Sequence, residues 1–315
     1  MVEPEIINNM TEEQTLFEKI KNLATEQRNE ASMRIDVASP EEIVRIINEE
    51  DQKVAKLVSE RSEVIAAAIE MISESFNLGG RLLYFGAGTS GRLGVVDASE
   101  CPPTFGSDPE LVQGFIAGGK DAMYVAKEGA EDFEENGAED IKDIEVFPPD
   151  VVCGLAASGR TPYVVGAINE AKKRGCKTIL VSTVPKEQID VEADFIIDVP
   201  VGPEVVMGST RMKSGTAQKM VLNMLTTGAM IRQGKVFENV MVDLQLTNKK
   251  LVERAKRIIM IFTDLNYDEA TEYLKRADNH VKTAIVMALA KVEKEQAQAL
   301  LNKHNGFIRN AIKDI

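Results

Sequence analysis

In the first quarter of the chain, apolar residues at helical spacing follow two sequences typical of helix N-caps. Thr11-Glu12-Glu13-Gln14 and Ser39-Pro40-Glu41-Glu42 each place Gln or Glu three residues after a hydroxyl, the spacing of a capping box. Apolar residues then recur at helical intervals between residues 43 and 58. This pattern predicts helices over residues 11–75 that end before Gly79-Gly80.

After residue 80 the pattern changes to short apolar runs separated by turns and helical stretches. Runs of this length that are apolar on both faces are typical of parallel strands covered by helices on both sides. The pattern therefore predicts an α/β fold built on a doubly wound parallel sheet. The runs cover residues 81–85, 111–117, 150–156, 177–183 and 195–201.

The remainder of the chain reads as helical. A long helical pattern covers residues 213–233, and shorter ones continue from residue 246 to the end. We therefore expect three parts, listed here in chain order: an N-terminal helical segment (1–55), the sheet domain (56–245) and a small C-terminal helical subdomain (246–315).

The charge balance narrows the choice of partners. The chain has 37 Lys plus Arg against 50 Asp plus Glu, a formal net charge of −13. A long-range field of this sign repels polyanions, so nucleic acid and anionic membranes are disfavoured partners. The same field repels a small phosphate, so any anion site must be built from local donors.

Targeting signals and metal-ligand patterns are missing from the sequence. No apolar run approaches the length of a membrane span, and Met1-Val2-Glu3-Pro4-Glu5 does not resemble a signal peptide, so we expect a cytoplasmic protein. The 3 cysteines form no CxxC pair, which argues against a disulfide framework or a thiolate zinc site. His280 and His304 are the only histidines, which disfavours a histidine triad or metal site.

The first motif with chemical content is a glycine-rich turn, Phe85-Gly86-Ala87-Gly88-Thr89-Ser90-Gly91-Arg92, between a predicted strand and a helix. It contains GxGxxG, but dinucleotide folds also place an acid at the end of the next strand, about 20 residues on. Here the next strand ends Ile116-Ala117-Gly118-Gly119-Lys120, without an acid. A dinucleotide site therefore remains only an alternative.

A second turn repeats the first. Leu155-Ala156-Ala157-Ser158-Gly159-Arg160-Thr161 also follows a strand and opens a helix, so Ser-Gly-Arg occurs twice in equivalent settings. Helix N-termini bind anions, and open α/β sheets bind ligands at the carboxyl ends of their strands. The two turns predict a site for a phosphate monoester of a small molecule. The alternative is that Ser90 and Ser158 are ordinary N-caps.

A third polar cluster precedes the long helix, over residues 204–216. Ser209, Thr210, Arg211 and Lys213 are candidates to complete a sugar and phosphate pocket, with Glu204 binding sugar hydroxyls. The alternative is a capped helix start with Ser209 or Thr210 as the cap.

These motifs together resemble a known family. GAGTSGRLG at 86–94, ASGRT at 157–161 and GSTRMKSGTAQK at 208–219 are similar to the sugar isomerase (SIS) fold. DASECPPTFG at 97–106 and EGAED at 128–132 resemble the N-acetylmuramic acid 6-phosphate etherases in particular. The resemblance also covers TEQRN at 25–29 and GFIR at 306–309, so it spans most of the chain.

The resemblance implies a cytoplasmic, homodimeric lyase without metal or cofactor that acts on a small sugar phosphate. Such an enzyme removes the D-lactyl ether of N-acetylmuramic acid 6-phosphate by β-elimination and water addition. The products are N-acetylglucosamine 6-phosphate and D-lactate, in the recycling of cell-wall amino sugars. Two other members of the SIS group stay open as alternatives: a non-catalytic sugar-phosphate-binding regulator, and an aldose–ketose isomerase, which would leave DASECPP without a role.

By position in the motifs, the resemblance assigns catalysis to Glu100, as proton donor, and to Glu131. We expect Glu100 in a proline-containing loop just beyond the short helix that follows the first turn. Glu131 stands in an acidic run that the sequence alone would describe as solvated surface, so only the resemblance selects it. The remaining expectation concerns the hydroxyls that anchor the phosphate, those of Thr89, Ser90, Ser158 and Thr161.

Overall fold

The computed structural model describes residues 21, 23–127, 129–246 and 248–314. The predicted capping box at Thr11 lies outside these residues. The one at Ser39 is confirmed: its hydroxyl accepts from the backbone of Glu42, and the Glu42 carboxylate accepts from the backbone of Ser39. This box starts helix α1 (Pro40–Ser59), and α2 (Ser62–Asn77) follows directly.

Five parallel strands form one sheet in the order β2-β1-β3-β4-β5, which confirms the predicted doubly wound α/β architecture. Each predicted apolar run overlaps a strand. The last strand, β5, ends at Asp198 and is shorter than the predicted run. The run extended to residue 201 because Val199 and Val201 are apolar, and both are buried although they lie beyond the strand. The strands are β1 (Leu82–Gly86), β2 (Val112–Ile116), β3 (Val151–Leu155), β4 (Lys177–Ser182) and β5 (Phe195–Asp198).

Helices cover both faces of this sheet. Because side chains alternate along a strand, Leu82 and Tyr84 pack on one face, while Leu83 and Phe85 pack on the other. The first face is covered by α1, α2, α3 and α6, and the second by α4 and α5. The newly named helices are α3 (Gly88–Phe105), α4 (Glu134–Asp143), α5 (Pro162–Lys173) and α6 (Lys213–Arg232).

The C-terminal region has a hydrophobic core of its own, built by a two-stranded hairpin and five helices. Helix α1 continues through residue 55 and packs Val54 and Val58 in the core on the first face of the sheet. The division of the chain into domains at residues 55 and 245 remains a prediction. The elements are β6 (Val236–Phe237), β7 (Val240–Met241), α7 (Lys249–Phe262), α8 (Tyr267–Arg276), α9 (Val281–Ala290), α10 (Lys294–Lys303) and α11 (Ile308–Ala311).

The C-terminal region meets the sheet domain where α3 ends. Gly106 ends α3 in the left-handed region, and a side chain there would clash with the carbonyl oxygen of Asp243. The Asp243 carboxylate in turn pairs with Lys235 at 3.0 Å and with buried Lys282 at 2.8 Å. Within the described ranges, none of the helices has the length and apolar character needed to cross a membrane.

Candidate active site at the carboxyl edge of the sheet

The two glycine-serine turns lie side by side. Strand β1 leads into the first turn and β3 into the second, and the two strands are neighbours with Gly86 opposite Leu155. Helices α3, α5 and α6 all begin at this edge, and their N-termini carry partial positive charge. The edge therefore gathers donors for an anion despite the acidic surface of the protein.

The first turn folds tightly onto β1. Helix α3 begins at Gly88 with Ala87 as its N-cap, so the alternative of Ser90 as an N-cap is wrong. The Ser90 hydroxyl lies 2.8 Å from Oε1 of Gln218 on α6, in a buried contact. A β-carbon at Gly91 would lie 2.6 Å from the carbonyl oxygen of Gly86, so glycine lets the helix approach the strand this closely.

The second turn leaves its hydroxyls half-buried. Ser158 precedes the helix, and its Oγ accepts from the backbone N–H of Arg160 at 3.3 Å, which leaves its own proton to donate. Thr161 is the N-cap of α5, yet its side chain makes no capping hydrogen bond. The alternative of Ser158 as the N-cap is therefore wrong.

Glu204 has a different environment from the one expected. Its carboxylate accepts from the backbone N–H groups of Lys213 at 3.0 Å and Ser214 at 2.9 Å, which caps the start of α6. Neither Ser209 nor Thr210 is that cap, so the capping alternative for them is wrong. The Glu204 side chain has no exposed surface, so the expected contact with sugar hydroxyls has no support in this geometry.

Lys213 is also buried, with 3% of its side chain exposed. Its Nζ lies 2.6 Å from Oε2 of Glu50 on α1. The same oxygen accepts from Asn29 at 2.9 Å, and Oε1 of Glu50 accepts from Lys53. Burial would raise the pKa of Glu50, but the hydrogen bonds from Lys213, Lys53 and Asn29 outweigh it and lower the pKa to about 2. Lys213 anchors the loop in this geometry, and its expected contact with phosphate has no support.

The remainder of this loop lies between the two buried residues Glu204 and Lys213. Ser209 and Thr210 are half-buried and Arg211 is exposed, so all three stay predicted binding residues. The start of α6 reaches the first turn through Gly215, where an added β-carbon would lie 3.5 Å from the methyl group of Thr89. It reaches the end of β4 through a 2.9 Å hydrogen bond between Thr183 and Ser214.

Glu131 lies beside both turns, in a segment between β2 and α4. It lines a cavity of about 170 Å³ with Gly88, Arg92 and Lys127, among others. Its backbone carbonyl accepts from the N–H of Tyr163, in the first turn of α5, at 3.0 Å. The structure thus brings this carboxylate and two cationic side chains to the same edge as the hydroxyl turns.

Three residues at this edge were not predicted from the sequence as site residues: Arg92, Lys127 and Gln218. Arg92 donates to the carbonyls of Ala122 at 2.7 Å and Met123 at 3.1 Å, which holds the segment that precedes Glu131. The repetition of Ser-Gly-Arg was the available signal for Arg92. Gln218 is buried, and within the described ranges its Nε2 has no hydrogen-bond partner.

Glu100 lies apart from this group. It is exposed within α3, so the expected proline loop is wrong: the helix continues through Pro102 and Pro103. The buried side chains of Cys101 and Phe105 hold this last turn in the core. At about 1.5 Å per residue, Glu100 is about 18 Å along the helix from Gly88, at the other end of the sheet.

Two family models match parts of this chain. Residues 63–172 match the family model of the glucokinase regulatory protein N-terminal SIS domain. Residues 238–282 match that of the C-terminal lid domain of glucokinase regulatory protein. Among solved structures, a phosphoheptose isomerase from Neisseria gonorrhoeae aligns with a TM-score of 0.44 and 16% identity over 59% of this chain and 99% of its own.

Similarity to one group of enzymes extends over nearly the whole chain. The N-acetylmuramic acid 6-phosphate etherase of Salinibacter ruber is 57% identical over 96% of this chain and 98% of its own. Those of Lactobacillus acidophilus and Clostridioides difficile are 55% and 52% identical, over 94% and 95% of this chain and 99% of each relative. The chain therefore belongs to the N-acetylmuramic acid 6-phosphate etherase family.

Proposed function

We propose that this protein cleaves the D-lactyl ether of N-acetylmuramic acid 6-phosphate and yields N-acetylglucosamine 6-phosphate and D-lactate. The observation that carries the proposal is the convergence of two hydroxyl-bearing helix starts and the Glu131 cavity at one edge of the sheet. That edge belongs to a chain that matches etherases over almost its full length.

The phosphate would bind at the two turns. The backbone N–H groups at the starts of α3 and α5 supply positive potential there, and Thr89, Ser90, Ser158 and Thr161 bring hydroxyls beside them. Ser209, Thr210 and Arg211 extend this set from the third loop. Anchoring the phosphate fixes the reacting carbons of the sugar relative to the catalytic groups.

The chemistry needs a base and an acid. An ether oxygen on C3 is a poor leaving group, but opening the sugar ring exposes an aldehyde at C1 that acidifies the proton on C2. A base removes that proton, an acid protonates the ether oxygen, and lactate leaves by β-elimination. Water then adds to C3 of the unsaturated aldehyde, which uses the same two groups in the opposite protonation order.

We assign one of these roles to Glu131, which lines the cavity at this edge, and by family motif we assign the role of proton donor to Glu100. Arg92 and Lys127 line the same cavity as Glu131. We further propose that the enzyme is a cytoplasmic homodimer and that its reaction recycles cell-wall amino sugars.

The direct test incubates the purified protein with N-acetylmuramic acid 6-phosphate and measures D-lactate. Release of D-lactate is expected, with far slower release from the unphosphorylated sugar, because the turns then have no phosphate to hold. Equal rates with both sugars would contradict the phosphate-anchor argument, and no lactate from either would contradict the function.

A second candidate function follows from the two matches to glucokinase regulatory protein models. A non-catalytic regulator of this kind would bind a sugar phosphate through the same turns and pass the signal to another protein. It predicts saturable binding of N-acetylmuramic acid 6-phosphate, measured by calorimetry, without any lactate in the product mixture.

A further inference from the structure

We propose that Gln218 is a positioning residue for the phosphate: by donating from its side-chain amide to the Ser90 hydroxyl, it frees that hydroxyl to donate to a phosphate oxygen. The proposal rests on the function proposed above, because it concerns the turn that would hold the phosphate of the sugar. It follows from the hydrogen bond between these two buried side chains, and it requires the amide to turn over when phosphate binds.

The hydrogen bond in the structure uses the only proton that the Ser90 hydroxyl has. The Ser90 Oγ lies 2.8 Å from Oε1 of Gln218. An amide oxygen only accepts, so the hydroxyl of Ser90 donates to it. An ionised phosphate oxygen also only accepts. In this arrangement Ser90 therefore has no proton left for a phosphate, although it lies in the first turn.

The amide nitrogen of Gln218 is left without a partner in the same arrangement. Gln218 is 1% exposed, and within the described ranges its Nε2 has no hydrogen-bond partner for its two N–H donors. A buried donor in this state costs free energy. Rotation by 180° about the last side-chain bond exchanges Oε1 and Nε2 in almost the same space. Nε2 then donates to Oγ of Ser90, and the proton of Ser90 becomes available.

The second turn already has this arrangement. Ser158 is the serine of the second Ser-Gly-Arg, and its Oγ accepts from the backbone N–H of Arg160 at 3.3 Å. Its own proton is therefore available for a ligand. With the Gln218 amide turned over, Ser90 and Ser158 match, because each accepts from an N–H group of the protein and has a proton to donate.

Helix α6 holds Gln218 in place beside both turns. Ser214 lies one helical turn before Gln218 on the same face of α6. It forms a 2.9 Å hydrogen bond with Thr183, and Oγ1 of Thr183 also lies 3.0 Å from the carbonyl oxygen of Ala157 in the second turn. This face of α6 is thus linked to the second turn through Ser214 and to the first through Gln218. Because the helix is anchored here, the exchange of donor and acceptor needs only the rotation of an amide.

The decisive experiment compares Gln218→Glu in two backgrounds, with and without the Ser90 hydroxyl. At about pH 9 a carboxylate is ionised and only accepts, so it keeps the Ser90 proton from the phosphate. Isothermal titration calorimetry gives the dissociation constant of N-acetylglucosamine 6-phosphate. The loss of affinity from Gln218→Glu should be at least about tenfold larger in the wild-type background than in Ser90→Ala. Charge repulsion acts in both backgrounds, so equal losses would overturn the proposal.

A second variant removes the amide without adding a charge. Gln218→Met keeps the length of the side chain and should weaken binding of the same sugar phosphate about 3- to 10-fold, because the Ser90 hydroxyl loses its donor. Combined with Ser90→Ala, it should change the dissociation constant by less than about twofold. Losses that multiply in the double variant would overturn the proposal. Unchanged binding by Gln218→Met, or wild-type protein that does not bind this sugar phosphate, would also overturn it.

The matched control is Thr226→Val, which removes another buried hydrogen bond of α6, the 3.2 Å contact with Asp97, about two turns beyond Gln218. It should leave the dissociation constant within about twofold of wild type, and a loss equal to that of Gln218→Met would overturn the proposal.

Turnover separates positioning of the phosphate from a role in the chemistry. Gln218→Met should raise KM for N-acetylmuramic acid 6-phosphate while kcat stays within about threefold of wild type. A fall in kcat alone would overturn the positioning role. If the binding results hold but the wild-type protein releases no lactate, only the proposed function is contradicted.

Discussion

The buried pair between Glu50 and Lys213 gives the sharpest prediction about stability. Both side chains are 5% exposed or less, and their charged atoms lie 2.6 Å apart. A fall in the pKa of Glu50 from 4.5 to about 2 corresponds to about 3 kcal/mol of preference for the ionised form, at about 1.4 kcal/mol per pKa unit. Glu50→Gln leaves the ammonium of Lys213 buried without a counter-charge, so we expect a loss of about 3–5 kcal/mol in the free energy of unfolding.

Urea unfolding at fixed protein concentration measures this loss. The control is Glu49→Gln, whose pair with Arg45 is more than half exposed and should contribute less than about 1 kcal/mol. The double variant Glu50→Gln, Lys213→Met removes the orphaned charge and should recover part of the loss. A Glu50→Gln loss below about 1 kcal/mol, or a double variant less stable than Glu50→Gln, would refute the reasoning.

The same pair predicts how stability depends on pH. The folded pKa of Glu50 lies below its ordinary value of 4.5, so its contribution is complete above that value. The contribution is lost as the pH falls from about 4.5 toward 2. The difference in unfolding free energy between wild type and Glu50→Gln should therefore shrink over this interval. A difference that stays constant down to pH 2.5 would contradict the assignment.

Two further substitutions test the turns. Ser158→Ala should raise KM for the phosphorylated sugar about 10- to 100-fold with a smaller effect on kcat, since a hydrogen bond to a charged group is lost. The control Thr161→Ser keeps its hydroxyl and should keep KM. A change in kcat alone for Ser158→Ala would show that Ser158 does not bind the phosphate. Gly91→Ala should lower the free energy of unfolding by about 1–3 kcal/mol, because its β-carbon would lie 2.6 Å from the carbonyl oxygen of Gly86. Gly215→Ala, whose nearest neighbour would be 3.5 Å away, should cost almost nothing in urea unfolding, and equal losses for the two would show that close approach is not the cause.

The strands and the two turns were predictable because their signals are local. Runs that are apolar on both faces specify buried parallel strands wherever they pair, so each predicted run overlaps a strand. The repeated Ser-Gly-Arg marked two equivalent turns. Their placement side by side depends on β1 pairing with β3, a choice of neighbour that no local pattern encodes.

The environments of three site residues differ from the expected ones for two physical reasons. Glu204 and Lys213 belong to a polar stretch of sequence that resembles a group of ligand-binding residues. In the structure each side chain is buried and bonded to another group of the same chain. The partner of Lys213 is Glu50, 163 residues away in the chain, so sequence spacing could not reveal the pair. Glu100 was expected in a loop because of two prolines, whereas core packing of Cys101 and Phe105 keeps that turn helical.

The proposed mechanism breaks the ether by elimination and water addition at the sugar, and isotope placement is a direct test of that route. Wild-type protein converts N-acetylmuramic acid 6-phosphate in deuterated water and, separately, in ¹⁸O-water, and mass spectrometry with NMR locates the labels. Elimination through a C2 carbanion predicts deuterium on C2 of N-acetylglucosamine 6-phosphate and ¹⁸O in its C3 hydroxyl, with unlabelled lactate. Lactate that carries ¹⁸O, together with a C2 position free of deuterium, would show attack at the lactyl carbon and contradict the account.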